Sequence, residues 1–205
     1  MPPPQGDLTR ARLVRAALEL FTAQGYHVTT TPQLAKRAGI AEGTIYRHFE
    51  SKQHLLNELY RGGARWAARL VKEAEAAGTT TPERFRKLAE LLADGAVREP
   101  AVVRLFFFQD YAALLDEKSR EANREFRTAL EGLIAQGKAD GSVRPGGADL
   151  WASAWLAVVR VALERILARD WGVASAGVRA CADAGWDAIA SKGERTAGER
   201  PAAQD

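Results

Sequence analysis

Residues 29–52, TTTPQLAKRAGIAEGTIYRHFESK, contain two short helices around a tight turn. The hydroxyl of Thr31 suits a helix N-cap, and Pro32 suits the first helical position, where an N–H would have no intrahelical partner. Leu34, Ala35 and Ala38 give this segment one apolar side, and Gly39 supplies the left-handed residue on which helices commonly end. Ile40 fills the corner. The spacing predicts a second helix from about Glu42 to His48, with Ile45 and Phe49 four apart and facing inward. Thr44, Tyr46, Arg47 and His48 are left outside. Ala41 offers this helix start no side-chain cap, and Glu42 suits the helix dipole while repelling phosphate.

A hydroxyl, a phenol, a guanidinium and an imidazole on one outward face all donate to phosphate oxygens or base edges. A short helix after a glycine turn is the helix-turn-helix arrangement, whose second helix enters the major groove. Through Ala35, Ala38-Gly39, Gly43-Thr44-Ile45-Tyr46, His48-Phe49 and Ser51-Lys52, the stretch resembles the DNA-binding domain of TetR-type (TetR/AcrR-like) transcriptional regulators. The resemblance implies a three-helix domain in which Thr31, Tyr46, His48 and Lys52 meet phosphates and Gly43 allows close approach to the DNA backbone. Thr44 and Arg47 then face bases, arginine being the commonest partner of guanine, and Glu42 can accept from a cytosine amino group. It further implies a homodimer on double-stranded DNA with a palindromic operator, and repression relieved by a small-molecule effector held in a larger helical domain.

The chain has 205 residues, 46% hydrophobic and 27% charged, with a net charge of +3, which permits a nucleic-acid partner without requiring one. A single cysteine, Cys181, excludes an internal disulfide and a cysteine-based zinc site, and a reducing cytoplasm is the simplest setting. No signal peptide is legible after Met1, because Pro2 to Pro4 lead into polar residues. The apolar run from Leu150 to Leu163 is shorter than the roughly 20 residues a membrane span needs, and it contains Arg160. It reads as a buried helix, and no membrane partner is expected.

Helical periodicity runs through the rest, giving an all-α expectation: a tail over 1–6, a helix-turn-helix domain over 7–50, a larger helical domain over 51–192 and a flexible tail over 193–205. The first helix starts at a cap supplied by Asp7 or Thr9. A fourth begins at Ser51 and carries Gly62-Gly63, read either as a close approach to a neighbour or as a soft point that transmits motion. Pro82 opens a helix reaching about Arg98. Pro100 opens one running through AVVRLFFFQDYAALL, and further helices cover about 117–138, 148–170 and 174–191.

Phe106, Phe107, Tyr111, Trp151 and Trp155, with Trp66, are candidate walls of an effector pocket for an apolar or aromatic molecule, although each could equally be plain core. Asp110 would suit a cationic ligand if it faced inward; pairing with Arg104 is the alternative. The last two long helices, with Trp155, Val159, Cys181 and Trp186, are the expected dimer interface. The string from Gly132 to Ala139 mimics a phosphate loop but lacks the Ser/Thr ligand and ends a helix rather than opening one. No catalytic or metal-binding constellation and no cofactor is expected. The competing reading is a helical carrier whose DNA-binding domain is vestigial.

Overall fold

Thr30, Ser51, Thr80, Asp116 and Ser175 each stand just before a helix and accept from an unpaired amide of its first turn. The computed structural model describes residues 5–191. Its α-helices are α1 (Gln5–Gln24), α2 (Thr31–Ala38), α3 (Glu42–His48), α4 (Lys52–Ala77), α5 (Thr81–Arg98), α6 (Pro100–Phe107), α7 (Glu117–Ala139), α8 (Ala148–Leu167) and α9 (Ala176–Ile189). A 3₁₀ turn, Ala112–Leu114, lies between α6 and α7. Among the described residues the only β-type pairing is an isolated bridge between Val143 and Ala190, so the fold is all-α. No described helix is long and apolar enough to cross a membrane.

Helices α1–α3 form the helix-turn-helix unit around Leu13, Ala17, Phe21, Leu34, Ile45 and Phe49, all buried. The long α4 leaves that unit and becomes part of the larger bundle, packing mainly on α7 and then on α5, while α8 packs chiefly on α9. Gly63 is the reason α4 can lie close to α6: a Cβ there would stand 3.1 Å from Phe106 Cβ, whereas Gly62 faces open space. The bundle core runs through Phe85, Leu88, Leu92, Leu105, Leu133 and Trp155.

Four expectations need correction. Thr30, not Thr31, caps α2: its side chain accepts from Gln33 N–H and Gln33 accepts from Thr30 N–H, a capping box. α1 already includes Gln5 and Gly6, so Asp7 and Thr9 lie within it, and residues 1–4 and 192–205, with the tail expected there, fall outside the described residues. The helix opened by Pro100 stops at Phe107, because Phe108 leaves helical geometry (φ −120°) and Tyr111 turns inward against the first unit. Nor is the run from Leu150 to Leu163 buried all round, since Leu150 and Val161 are 56% and 47% exposed.

Candidate nucleic-acid interface and ligand cavity

The turn between α2 and α3 is fixed by local chemistry. Gly39 takes φ 65°, and the amides of Gly39 and Ile40 both reach back to Ala35 carbonyl. Ala41 gives α3 no side-chain cap, but Thr31 Oγ1 donates to Glu42 Oε1 at 2.8 Å, tying the first turn of α2 to the first turn of α3. That bond fixes the direction of the Glu42 carboxylate. Ile45 and Phe49 are fully buried beneath the helix, leaving Tyr46 54% exposed and Arg47 exposed, with Thr44 and His48 half-buried. Gly43 is exposed, with nothing near where a Cβ would stand. The chain's own packing therefore does not require glycine there.

Lys52 opens α4, directly after the Ser51 cap, which accepts from His54 N–H. Its ammonium donates to Tyr26 carbonyl at 2.9 Å and Thr29 carbonyl at 2.7 Å, and it lies 4.3 Å from the centroid of the Tyr26 ring. Two of its three N–H groups are thus committed within the protein, and burial lowers its pKa. Thr29 is itself buried, its hydroxyl donating to Gly25 carbonyl at 2.7 Å. The positioning roles of Tyr26 and Thr29 escaped sequence reading, because both act through backbone carbonyls that any residue carries.

A cavity of about 260 Å³ opens between α6, α7 and α8. Phe106, Phe107 and Phe126 form its aromatic wall, edge to face at 4.8–6.0 Å between ring centroids, with Leu130, Ala152 and Leu156 completing the apolar lining. Asn123, Arg127, Glu131, Ser153 and Arg160 supply its polar side. Of the residues named from sequence, the lining takes in Phe106 and Phe107. Trp66 stands behind Phe107, filling the space left by Gly95, where a Cβ would come within 2.3 Å of its ring. Tyr111 points instead at Tyr26, and Asp110 is exposed, accepting from Ala112 N–H at 3.0 Å. Arg104, its suggested partner, donates to Leu167 carbonyl. Trp151 sits beneath the Arg144 guanidinium at the start of α8, and Trp155 is fully buried against Phe85. Phe126, Asn123 and Leu130 read in the sequence only as part of an amphipathic helix.

Of the residues expected at a dimer interface, Trp155 and Val159 are buried in the chain's own core, while Cys181 and Trp186 are half-buried. Burial raises the Cys181 thiol pKa. The outward strip of α8 and α9 is made instead of Ala157, Val161, Ala180 and Ala184. Gly185 lets the two helices approach closely, for a Cβ there would stand 3.2 Å from the Trp155 ring.

Residues 13–59 match the family described as bacterial regulatory proteins, tetR family. The HTH-type transcriptional repressor KstR2 of Rhodococcus jostii is 29% identical over 153 residues, covering 70% of this chain and 74% of the relative. In fold, the chain is similar to a TetR family transcription regulator from Marinobacter aquaeolei (TM-score 0.79, 19% identity, 91% of this chain and 97% of that one). It is also similar to the transcriptional regulator FadR from Bacillus subtilis in complex with stearoyl-CoA (TM-score 0.68, 20% identity, 87% and 96% covered). With the helix-turn-helix unit, the matched family and these relatives agreeing, residues 13–59 are a DNA-binding domain of the tetR family of bacterial regulatory proteins, carried on a chain similar to TetR-type transcriptional regulators.

Proposed function

We propose that this protein is a homodimeric repressor that holds a palindromic operator and is released from it by a small-molecule effector. The observation that carries the reading is the outward face of α3, where Thr44, Tyr46, Arg47 and His48 remain available while Ile45 and Phe49 hold the helix down. Arg47 and Thr44, with Glu42, read base edges; Tyr46, His48 and the third N–H of Lys52 meet phosphates, the Thr31 hydroxyl joins them by turning away from Glu42, and Gly43 lets the helix start approach closely. Residues 7–50 serve as the DNA-binding domain and 51–192 as the effector and dimer domain. Two copies joined through the outward strip of α8 and α9 present their recognition helices about 34–36 Å apart, one turn of duplex.

The effector enters the cavity between α6, α7 and α8. Its aromatic floor takes an apolar chain; at the polar side Arg127 is paired with Glu131 at 3.9 Å and Arg160 lies over the Phe108 ring, and the positive charge left over favours an anionic head group. The name of a fold relative crystallised with stearoyl-CoA supports this class. At about 260 Å³ the cavity lies just below the usual range for ligand sites, roughly 300 Å³ upward, and an effector larger than it enters by parting α6 from α7 and α8. That parting is the differential affinity any ligand needs in order to shift a two-state equilibrium. The test is a footprint on a preferred duplex: a two-fold symmetric protected site is expected, lost on adding stearoyl-CoA in the wild type and retained in Phe126→Arg. An asymmetric footprint would contradict the dimer, and one insensitive to acyl-CoA in the wild type would contradict the effector class.

A further inference from the structure

The segment joining α6 to α7 leaves the effector cavity and docks on the DNA-binding unit. Tyr111 is buried, and its ring meets the Tyr26 ring edge-on, 6.4 Å between centroids at 74°. Its hydroxyl donates to Gln109 Oε1. Just beyond it, Leu114 carbonyl accepts from Gln53 Nε2 at 2.8 Å and Asn57 Nδ2 at 3.0 Å, and Asp116 N–H donates to Asn57 Oδ1 at 2.8 Å. The segment is thereby clipped to the first turns of α4, with Tyr111 pressed against the far side of the α1–α2 turn.

Tyr26 is the ring over which the Lys52 ammonium sits and also the residue whose carbonyl that ammonium holds. Phe21 packs edge-on at 5.3 Å from one direction and His27 at 5.2 Å from another. Of the aromatic rings around it, Tyr111 is the one that comes from outside the helix-turn-helix unit. We infer that Tyr111 is a positioning residue for the Lys52–phosphate contact, acting through the ring of Tyr26. The inference rests on the DNA-binding reading above. A Tyr26 ring that loses this backing turns about its side-chain bonds away from the ammonium, and the remaining N–H of Lys52, then held by the Tyr26 and Thr29 carbonyls without the ring face beneath it, is less tightly directed. Phe106 and Phe107 stand a few residues before Tyr111 on the cavity wall, so an effector that displaces the end of α6 acts on the same contact.

The full-length protein and its preferred duplex give the test, as affinity against salt concentration for wild type, Lys52→Ala, Tyr111→Leu, Tyr111→Phe and Lys52→Ala/Tyr111→Leu. Losing one phosphate contact in each protomer removes two from the bound dimer and lowers the salt slope by about 2. Lys52→Ala and Tyr111→Leu are each expected to lower it by that amount and to weaken binding about thirty- to a hundredfold in 0.15 M salt. Tyr111→Phe should match wild type, and the double variant should match Lys52→Ala alone. Equal weakening by Tyr111→Leu with and without Lys52, or an unaltered slope in Tyr111→Leu, would overturn the inference while leaving the Lys52 contact intact. An unaltered slope in Lys52→Ala would instead remove the phosphate assignment and this inference with it. Should Tyr111→Leu fail to fold, Tyr111→Met, which keeps most of the buried volume, carries the same readout.

Discussion

Arg61 on α4 and Asp116 at the start of α7 are joined through a single guanidinium nitrogen, which donates to both carboxylate oxygens at 3.1 and 2.9 Å. The same nitrogen donates to Ser119 Oγ at 3.1 Å, and the other Nη donates to Glu58. Glu58 in turn takes a hydrogen bond from Arg10 of α1 at 3.1 Å. A continuous ionic chain therefore runs from the DNA-binding unit to the helix that carries Phe126 and Arg127.

Arg61 is 5% exposed, but its partners Asp116 and Glu58 keep 45% and 33% of their side-chain surface in water. Removing the arginine consequently strands neither carboxylate in an apolar interior. Arg61→Met is expected to cost about 1–3 kcal/mol, below the 3–5 of a fully buried broken pair. Urea unfolding measures this as a lower midpoint with an unchanged slope. No loss would mean that the chain contributes geometry without stability.

Acid should unfold the protein through the same groups. The hydrogen bond from Arg61 lowers the Glu58 pKa; for Asp116 burial acts upward, but hydrogen bonds from Ser119 and Arg61 outweigh it; and Ser142, with Thr81, lowers Asp140. A carboxylate with a depressed folded pKa contributes fully above its unfolded pKa, about 4, and loses that contribution as pH falls through the folded value. Urea midpoints should be flat between pH 7 and about 5 and fall below about 4, less steeply in Arg61→Met. Midpoints that rise on acidification would contradict the assignment.

The adjacent glycines of α4 should respond oppositely. Gly62 faces open space inside a helix, so Gly62→Ala is expected to stabilise by up to about 1 kcal/mol. Gly63→Ala presses on Phe106 at the cavity wall and should weaken effector binding even if stability changes little. Thermal unfolding and acyl-CoA titration of the two variants separate these effects. Equal responses would mean that close packing is not why Gly63 is there.

Arg47→Ala should weaken binding to the preferred duplex by about 1–3 kcal/mol and relax preference at a single base position. Competition with single-base variants of the site reads both. A uniform loss across all sequences would move Arg47 from base reading to phosphate contact.

The recognition helix was legible because its determinants are local. Pro32, Gly39 and the Ile45–Phe49 pair each fix geometry within a turn of their own position. Neighbouring threonines blurred the cap, though Gln33, three residues after Thr30, marks Thr30 as the first half of a capping box. The end of α6 was illegible because Tyr111 is drawn out of the helix by Tyr26, a residue far upstream that no periodicity of the aromatic run can indicate. For α8 the hydrophobic pattern was ambiguous in principle: Trp155 and Val159 serve the chain's own core while Ala157 and Val161 face outward, and both faces are apolar. The cavity was half-read, since Phe106 and Phe107 stand out by composition whereas Phe126 looks like any core residue of an amphipathic helix.

Enrichment of a random duplex pool on the purified protein, followed by sequencing, tests the central claim most directly. The predicted result is a palindrome whose half-sites lie one duplex turn apart, depleted when Arg47 is replaced by alanine. Failure to enrich any sequence at low salt would contradict the regulator reading and favour a helical carrier of apolar ligands.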